Sequence, residues 1–256
     1  MKYRACFISD LHLGCMKAEV KLINKFLKEN EFDALYLVGD IIDIWRMKQK
    51  GFLRHKDAQS HVNVIQKILK HAKNGTEIHY IYGNHDEFLA NFAQENNQFG
   101  NIKFHERVVH RTKNNQTFIV IHGHQFDLIT ITNPWLSKIG DHGYEFLISV
   151  NKYYNKLRQL CGLKYWSLSK YIKAKVKTAA NFIGNFSYAV SKYAKDNDCD
   201  GIICGHIHIA EIKKINDRIY ANCGCWTDRG NCTAIVENNN GELEIIYFGE
   251  NNINDI

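Results

Sequence analysis

The chain is short of proline, with one residue, Pro134, among 256. It also lacks any run of eighteen or more apolar residues, which excludes a membrane-spanning helix by sequence. The N-terminal stretch MKYRACFISDLHLG reaches an aspartate before an export-signal core could form, so we expect a protein of the cytoplasm. Hydrophobic residues make up 45% of the chain, which excludes general disorder and is enough for the core of one large α/β domain or two small ones.

Paired cysteine spacing is also missing, although the chain contains eight cysteines. They are scattered, and some, such as Cys6 and Cys204, lie in apolar strand-like runs where free cysteine packs as a small hydrophobic residue. We therefore predict free thiols. The tightest group, Cys223, Cys225 and Cys232, lacks the C-x-x-C pairs that are typical of a structural zinc site.

Apolar periodicity predicts an α/β chain whose second half is mostly strands. In the first half, strands are predicted over residues 3–9, 34–38 and 77–82, with helices over 18–30 and 61–72. In the second half, strands are predicted over 117–121, 200–204, 211–215, 218–222, 232–237 and 243–248. Asn216-Asp217 and Asn239-Asn240-Gly241 are typical of turns between them.

A basic and aromatic segment follows the single proline. Residues 135–195 contain eleven Lys and Arg against two acidic residues, a local net charge of +9, whereas the whole chain carries +6. Leu168, Ile172 and Val176 fall on one helical face, and Lys170, Lys173 and Lys177 line a neighbouring stripe. The segment is either an ordinary amphipathic helix with solvated lysines or a surface for an anionic partner, namely a phosphorylated lipid, a membrane or a nucleic acid.

Polar side chains follow five of the predicted strands, where each strand ends. Because ligands bind beyond the carboxyl ends of strands in α/β sheets, we expect these side chains to meet in one site. Mixed Asp, Asn and His ligands suit manganese, iron, zinc, cobalt or nickel. Seven ligands exceed the needs of one ion and fit two divalent ions; manganese is the expected metal. The seven are Asp10, His12, Asp40, Asn84, His122, His206 and His208.

The ordered motifs D-x-H, G-D-x-x-D, G-N-H-D, H-G-H and G-H-x-H resemble the calcineurin-like metallophosphoesterases. The resemblance implies a four-layer αββα sandwich, formed as a single domain over residues 1–256 with a helical lid inserted at 135–195. It also implies that Asp10, His12 and His208 bind one ion and that Asn84, His122 and His206 bind the other. Asp40 would bridge the two ions.

The same resemblance implies the chemistry of phosphate ester hydrolysis. A hydroxide bridging the two ions would attack phosphorus in line, and His85 would protonate the leaving oxygen while Asp86 orients the His85 ring. Asp43 is expected to support the site without binding metal. His124 is interpreted either as a group near the metals or as a polar residue at a strand end.

The flanking stretches FISDLHLG, LYLVGDIIDIWRMK, YWSLSKYIKAKVKTAANFIG and CGHIHIAEI are similar to the UDP-2,3-diacylglucosamine diphosphatase branch of that family. This similarity implies cleavage of UDP-2,3-diacylglucosamine to UMP and 2,3-diacylglucosamine 1-phosphate in lipid A synthesis. It also implies a nucleotide-activated lipid as substrate, peripheral association with the anionic cytoplasmic face of the inner membrane, and no nucleic-acid partner. Lys173, Lys175 and Lys177 of the lid are candidate phosphate contacts.

The chain departs from this branch at two places. His85 occupies a position where the branch carries arginine, and His122-Gly-His124 and Gly224-Cys225-Trp226 stand where H-G-D and G-D-W are expected. The alternative prediction is therefore a metallophosphoesterase that acts on another nucleotide, a phospholipid or a general phosphodiester. Cys225 is either an oxidation-sensitive thiol or a packing residue.

Overall fold

The computed structural model describes residues 1–47, 57–94, 98–127, 168–228, 230 and 232–249. The chain divides into two compact units, Met1–Gln125 with Val190–Ile256, and Phe126–Ala189. In the described part of the first unit, two β-sheets and several helices form a mixed α/β structure, as the sequence predicts.

The first sheet contains seven described strands in the order β12-β11-β1-β2-β3-β5-β4. Strands β1, β2, β3 and β5 are parallel neighbours, and β11 runs antiparallel to β1. The strands are β1 (Lys2–Ile8), β2 (Glu31–Val38), β3 (Glu77–Ile81), β4 (Gln98–Phe99), β5 (Ile102–His105), β11 (Thr233–Glu237) and β12 (Leu243–Tyr247).

The second sheet contains five described strands in the order β6-β7-β8-β10-β9. Strands β7, β8 and β10 are parallel, while the edge strands β6 and β9 run antiparallel to their neighbours. The strands are β6 (Val108–Arg111), β7 (Thr117–Val120), β8 (Gly201–Cys204), β9 (Glu211–Ile215) and β10 (Arg218–Asn222).

The helices include the two that the sequence predicts in the first half of the chain. They are α1 (Val20–Glu29), α2 (Ile44–Met47), α3 (Ala58–Lys73), α4 (Ala90–Gln94) and α5 (Leu168–Asp196). Among the described residues, no helix combines the length and the apolar character needed to cross a membrane.

Alternating side chains of the central strands build two cores. In β1, Cys6 and Ile8 face a cluster that contains apolar residues of α1 and α3. Ala5 and Phe7 face the opposite way, into a cluster shared with Phe118 and other residues of the second sheet. Since successive strand residues point to opposite faces, one strand contributes to both cores. The predicted packing of two sheets with helices outside is confirmed.

The hairpin between β9 and β10 shows how the predicted turns form. Asn216 and Asp217 have φ of 47° and 63°. Two successive positive φ angles define a type I′ turn, which matches the twist of paired strands and tolerates Asn and Asp. The turn predicted at Asn216-Asp217 is therefore confirmed.

The predicted lid lies mostly outside the described residues. Its described part is α5, and the last turns of this helix belong to the first unit, where the Arg107 guanidinium lies 5.9 Å from the Tyr193 ring centroid. Lys173, Lys175 and Lys177 fall within α5. Their predicted phosphate contacts involve side chains outside the described part, so both the lid and these contacts stay predictions.

Candidate metal centre

The polar side chains predicted from the sequence lie where five strands of the two sheets end. Strands β1, β2 and β3 are neighbours in the first sheet, as are β7 and β8 in the second. Because the carboxyl ends of parallel strands lie at the same edge of a sheet, the loops after them converge. The structure thus brings together Asp10 and His12, Asp40, His122, and His206 and His208. Asn84 lies in the loop after β3, where its neighbour His85 donates its N–H to Asp40 Oδ1.

Two aspartates lie at the centre of these side chains. Asp10 Oδ1 is 3.1 Å from His208 Nε2, and Asp40 Oδ2 is 3.4 Å from His122 Nε2. His12 lies between the carboxylates, with its Nε2 3.8 Å from Asp10 Oδ1 and 3.9 Å from Asp40 Oδ2. The ring of His206 packs edge-on against that of His122, with the two ring centroids 5.1 Å apart.

Groups of donor atoms lie close enough together to bind one cation each. The donor atoms of Asp10, His12 and His208 all lie within 4.8 Å of one another, as do those of Asp10, Asp40 and His122. The first group is the triplet expected for one ion. The second places Asp10 and Asp40 together with a ligand expected for the other ion, which is the arrangement that a two-ion site requires.

Each central carboxylate has one oxygen bound to the backbone and one that faces the imidazoles. Asp10 Oδ2 accepts the His206 N–H at 3.0 Å, and Asp40 Oδ1 accepts the His85 N–H at 2.8 Å. These bonds link separate loops and fix both carboxyl planes. The second oxygen of each carboxylate is therefore held in place for a cation before any cation binds.

Several of these residues have a backbone conformation that non-glycine residues rarely adopt. Asp10, His12 and Asp40 have φ of 54°, 46° and 52°, and His206 and His208 have φ of 71° and 59°. Each left-handed residue costs on the order of 1 kcal/mol. The sheet hydrogen-bond pattern continues into the loops and holds them, with His12 N–H donating to the Asp40 carbonyl at 2.9 Å. Backbone strain is thus concentrated at the side chains that carry the site.

The glycines that precede the ligands are required mainly for space. A Cβ on Gly205 would lie 2.6 Å from Asp10 Oδ2, and a Cβ on Gly83 would lie 2.6 Å from the Asp40 nitrogen. Neither glycine has a positive φ, whereas Gly39 has a φ of 79°. A positive φ, which glycine adopts without strain, therefore explains Gly39, whereas close approach explains Gly83 and Gly205.

The residues present fit a divalent cation. His12 Nε2, Asn84 Oδ1 and His122 Nε2 are buried atoms that have no hydrogen-bond partner among the described residues. Such atoms are costly in a folded protein unless they have another function. His122 Nδ1 lies 3.0 Å from the Val38 carbonyl, which fixes that nitrogen as the N–H donor. Nε2 consequently faces Asp40 and, once it has lost its proton, is suited to bind a metal.

The protonation of each carboxylate and imidazole in the site depends on the charge of its neighbours. Burial raises the pKa of Asp10 and Asp40, but the surrounding histidines outweigh burial and lower both values below the ordinary range. Burial lowers the pKa of His122, but the Asp40 and Asp10 carboxylates outweigh it and raise the pKa to about 9. Without a cation the site therefore holds protons, and a divalent ion that binds here must displace them.

The structure corrects the predicted partner of His85. Asp43 Oδ2, not the Asp86 carboxylate, lies beside the His85 ring, 3.1 Å from Nδ1. The opposite nitrogen, Nε2, lies 3.9 Å from Asp40 Oδ2. Asp43 also caps the short helix α2 by accepting the Arg46 N–H at 2.9 Å, so its position is fixed. The G-D-x-x-D spacing placed Asp43 near the site, but it did not show which imidazole Asp43 contacts.

Asp86 has a structural role beneath the site. Its carboxylate is fully buried and accepts hydrogen bonds from the Ile41 N–H at 2.8 Å, from the Tyr80 hydroxyl at 2.7 Å and from the Gly83 N–H. Because these donors flank the metal-site loops after β2 and β3, Asp86 joins the two loops. The contacts of Asp86 therefore orient the loops and not the His85 ring, and a catalytic role for Asp86 stays a prediction.

Two further side chains lie close to the predicted ligands. The ring of His124 is 5.6 Å from that of His122, which favours the interpretation of His124 as a group near the metals. Cys225 is 4% exposed, and burial raises its pKa. A hydrogen bond to His208 and the charge of that ring outweigh burial and lower the pKa of Cys225 below the ordinary value. Cys225 therefore contacts a predicted ligand directly.

The described cysteines are free thiols, as predicted. No cysteine belongs to the possible metal-binding groups in the described part of the chain.

The chain matches the family model described as calcineurin-like phosphoesterase over residues 3–210. The matched range contains all seven predicted metal ligands and includes every motif on which the resemblance rests.

Curated relatives match over shorter segments. A UDP-2,3-diacylglucosamine hydrolase of Hahella chejuensis is 36% identical over 89 residues, which cover 33% of this chain and 33% of that protein. One from Shewanella pealeana is 29% identical over 90 residues, covering 34% of this chain and 35% of the relative. The chain thus spans about a third of the length of the curated relatives it matches. Among solved structures, an archaeal phosphodiesterase is 12% identical with a TM-score of 0.44, covering 95% of this chain and 98% of that one.

Proposed function

We propose that this chain, which belongs to the calcineurin-like phosphoesterase family, is a metal-dependent hydrolase that acts on UDP-2,3-diacylglucosamine. The reaction would cleave the pyrophosphate to give UMP and 2,3-diacylglucosamine 1-phosphate. The carboxylates and imidazoles assembled at five strand ends are the observation that carries the phosphoesterase chemistry. The similarity to three curated UDP-2,3-diacylglucosamine hydrolases supports this substrate.

Two divalent ions, with manganese proposed, would be held by the seven side chains named above. Asp10, His12 and His208 would hold one ion, and Asn84, His122 and His206 the other, with Asp40 shared. When bound, such a pair of ions acidifies water and neutralises the negative charge of phosphate oxygens. The fixed carboxyl planes of Asp10 and Asp40 support this assignment, because they keep the ligand geometry independent of substrate.

His85 would supply the proton that the leaving group needs. When the P–O bond to the leaving phosphate breaks, the departing oxygen gains negative charge, and a proton from His85 Nε2 neutralises it. The Asp43 carboxylate lies 3.1 Å from Nδ1, where its charge favours the protonated ring, and Nε2 faces the Asp40 side of the site. Proton transfer by a positioned imidazole contributes about 10²- to 10⁴-fold to such reactions.

Exposed apolar side chains on the ligand-bearing loops support a substrate with acyl chains. Met16 follows β1 and is 70% exposed, and Phe88 follows β3 and is 50% exposed. Ile209, next to His208, is 38% exposed. Single exposed apolar residues are common on protein surfaces, but these three lie on loops that also carry predicted metal ligands. In this proposal they contact the acyl chains of the substrate.

The basic insertion would contact the lipid and the membrane. In this proposal residues 135–195 form a lid whose apolar face binds acyl chains, and Lys173, Lys175 and Lys177 bind phosphate. The net charge of +9 in this segment supports peripheral binding to the anionic cytoplasmic face of the inner membrane. Sedimentation with vesicles of neutral or anionic lipid tests this part, and binding that is insensitive to lipid charge and to salt contradicts it.

Product analysis tests the substrate. The manganese-loaded protein is incubated with UDP-2,3-diacylglucosamine in detergent, and UDP-N-acetylglucosamine and a simple phosphodiester are assayed in parallel. We expect metal-dependent release of UMP from the acylated substrate alone. Turnover of the simple diester without turnover of the lipid nucleotide would leave the phosphoesterase intact and reject the proposed substrate.

A further inference from the structure

Trp45 is exposed beside the metal centre. It lies in α2, directly after the loop that carries Asp40 and Asp43, and 63% of its surface is exposed. The centroid of its ring is 5.3 Å from that of His85, and the two planes are inclined by 48°. Exposure of the largest apolar side chain is costly in water. Its position next to the proposed proton donor indicates a role in binding.

The backbone that carries Trp45 is held on both sides. Asp43 accepts the Arg46 N–H through its side chain and the Met47 N–H through its carbonyl, at 2.9 and 3.0 Å. The Met47 side chain packs so closely on Gly14 that a Cβ there would collide with it. The Asp43 N–H donates to the Leu13 carbonyl at 2.8 Å. The indole is therefore presented from a fixed segment, and its exposure does not result from a loose loop.

The surroundings of Trp45 favour a planar ligand. Its described ring neighbour is an imidazole, and the adjacent side chains of the same segment include the carboxylate of Asp43. An acyl chain gains most in a groove with apolar side chains on several sides, whereas a nucleobase needs one exposed aromatic face. We propose that the Trp45 indole stacks on the nucleobase of the substrate. This inference rests on the proposed function, because it assumes a nucleotide substrate.

The position of Trp45 suits the chemistry of a nucleotide. The phosphate that becomes UMP would lie at the metal centre, and its base lies one ribose away from that phosphate. His85 separates the indole from Asp40, with Nε2 3.9 Å from Asp40 Oδ2. A base stacked on Trp45 would place the linked phosphate on the side of His85 where the carboxylates lie. Trp45 would thus position the nucleotide without contacting the reacting atoms.

Binding of product fragments tests the stacking. Calorimetry on the manganese-loaded protein compares UMP with ribose 5-phosphate, which has the phosphate and the sugar but no base. Trp45→Leu removes the aromatic face and keeps an apolar side chain, while Trp45→Phe keeps a face. We expect Trp45→Leu to weaken UMP binding about ten-fold and to leave ribose 5-phosphate binding and metal content unchanged. Trp45→Phe should retain most of the UMP affinity.

A matched control and three contrary results complete the test. Phe99, which is 74% exposed on β4, supplies the control, and Phe99→Leu should not alter UMP binding. If Trp45→Leu weakens the binding of UMP and of ribose 5-phosphate equally, the metal centre is disturbed and stacking is rejected. Unchanged UMP binding with weaker binding of 2,3-diacylglucosamine 1-phosphate would make Trp45 an acyl contact. If the wild type itself binds UMP no better than ribose 5-phosphate, the proposed nucleotide substrate is wrong, whatever Trp45 does.

Discussion

Asp43 Oδ2 lies 3.1 Å from His85 Nδ1 and 3.7 Å from His12 Nδ1. On the other side of both rings, Asp40 Oδ2 lies 3.9 Å from each Nε2. Two carboxylates therefore hold a predicted metal ligand and the proposed proton donor from opposite ends. The His12 and His85 rings meet edge to face, with their centroids 4.7 Å apart. A change at Asp43 therefore affects both imidazoles.

Replacing Asp43 by asparagine should slow catalysis more than it weakens metal binding. The amide keeps the shape of the side chain but loses the charge that supports the two imidazoles. We expect kcat to fall about 10- to 100-fold, with a smaller change in KM, in steady-state assays with metal content measured on the same sample. Asp33→Asn alters an exposed carboxylate at a salt bridge with Lys2 and should have no effect. An unchanged kcat in Asp43→Asn would contradict the role of Asp43.

Asp86→Asn should act on stability, in contrast to Asp43→Asn. The buried carboxylate accepts bonds from backbone N–H groups and from the Tyr80 hydroxyl, and an amide nitrogen in place of one oxygen leaves donors unsatisfied. We expect a loss of about 2 kcal/mol in the free energy of unfolding, measured by urea denaturation. Tyr80→Phe removes one donor of this set and should cost about 1 kcal/mol. A stable Asp86→Asn variant with lost activity would restore the catalytic role that the sequence suggested.

Asp40→Ala and His85→Ala should separate metal binding from proton transfer. Asp40 contacts two imidazoles on the side where metal would bind, so its removal should abolish turnover and reduce the bound metal, measured by mass spectrometry. His85→Ala should lower kcat about 10²- to 10⁴-fold and leave metal content intact. Retained turnover in the first variant, or lost metal in the second, would overturn these assignments.

The positions of the predicted metal ligands could be inferred from sequence because each follows an apolar strand. A short, mostly apolar strand that is followed within one or two residues by Asp, Asn or His is a local pattern. The sheet topology brings these strand ends together. The direction of side chains within the loops was not predictable. Asp86 follows His85 immediately in the chain, but it points beneath the loop, while Asp43, from the loop after β2, lies beside the ring.

The crossover between the two sheets was not predicted from the sequence either. Strands β5 and β6 have four residues each and are separated by Glu106 and Arg107. One strand belongs to the first sheet and the other to the second. Four residues are too few to distinguish alternation from a loop. β5 and β6 form strands because they pair with β3 and β7. The local sequence does not predict these tertiary contacts.

His79 should make the fold sensitive to acid. Burial lowers the pKa of His79 to about 4, against an ordinary value of 6.5, despite the opposing charge of Glu77. Between these two pH values the unfolded chain binds a proton that the folded chain does not, so stability falls as pH decreases from 6.5 towards 4. His79→Gln should reduce this loss by on the order of 1 kcal/mol between pH 7 and pH 5. Urea denaturation gives the free energy of unfolding of both proteins at pH 7 and at pH 5. An equal loss of stability in the wild type and in His79→Gln between these pH values would contradict the assignment.

Gly205→Ala should damage the metal centre without changing any charge. A Cβ at this position would lie 2.5 Å from Ser9 Oγ and 2.6 Å from Asp10 Oδ2. Because Asp10 Oδ2 is fixed by the His206 N–H, the carboxylate cannot move without breaking that bond. We expect lower metal content and a destabilisation of about 1 to 3 kcal/mol. Gly184→Ala, at an open position of α5, is the matched control and should raise stability by about 0.5 to 1 kcal/mol. Normal metal binding in Gly205→Ala would show that the loop after β8 can move away, and that the close approach of Gly205 to Asp10 does not set the geometry of the site.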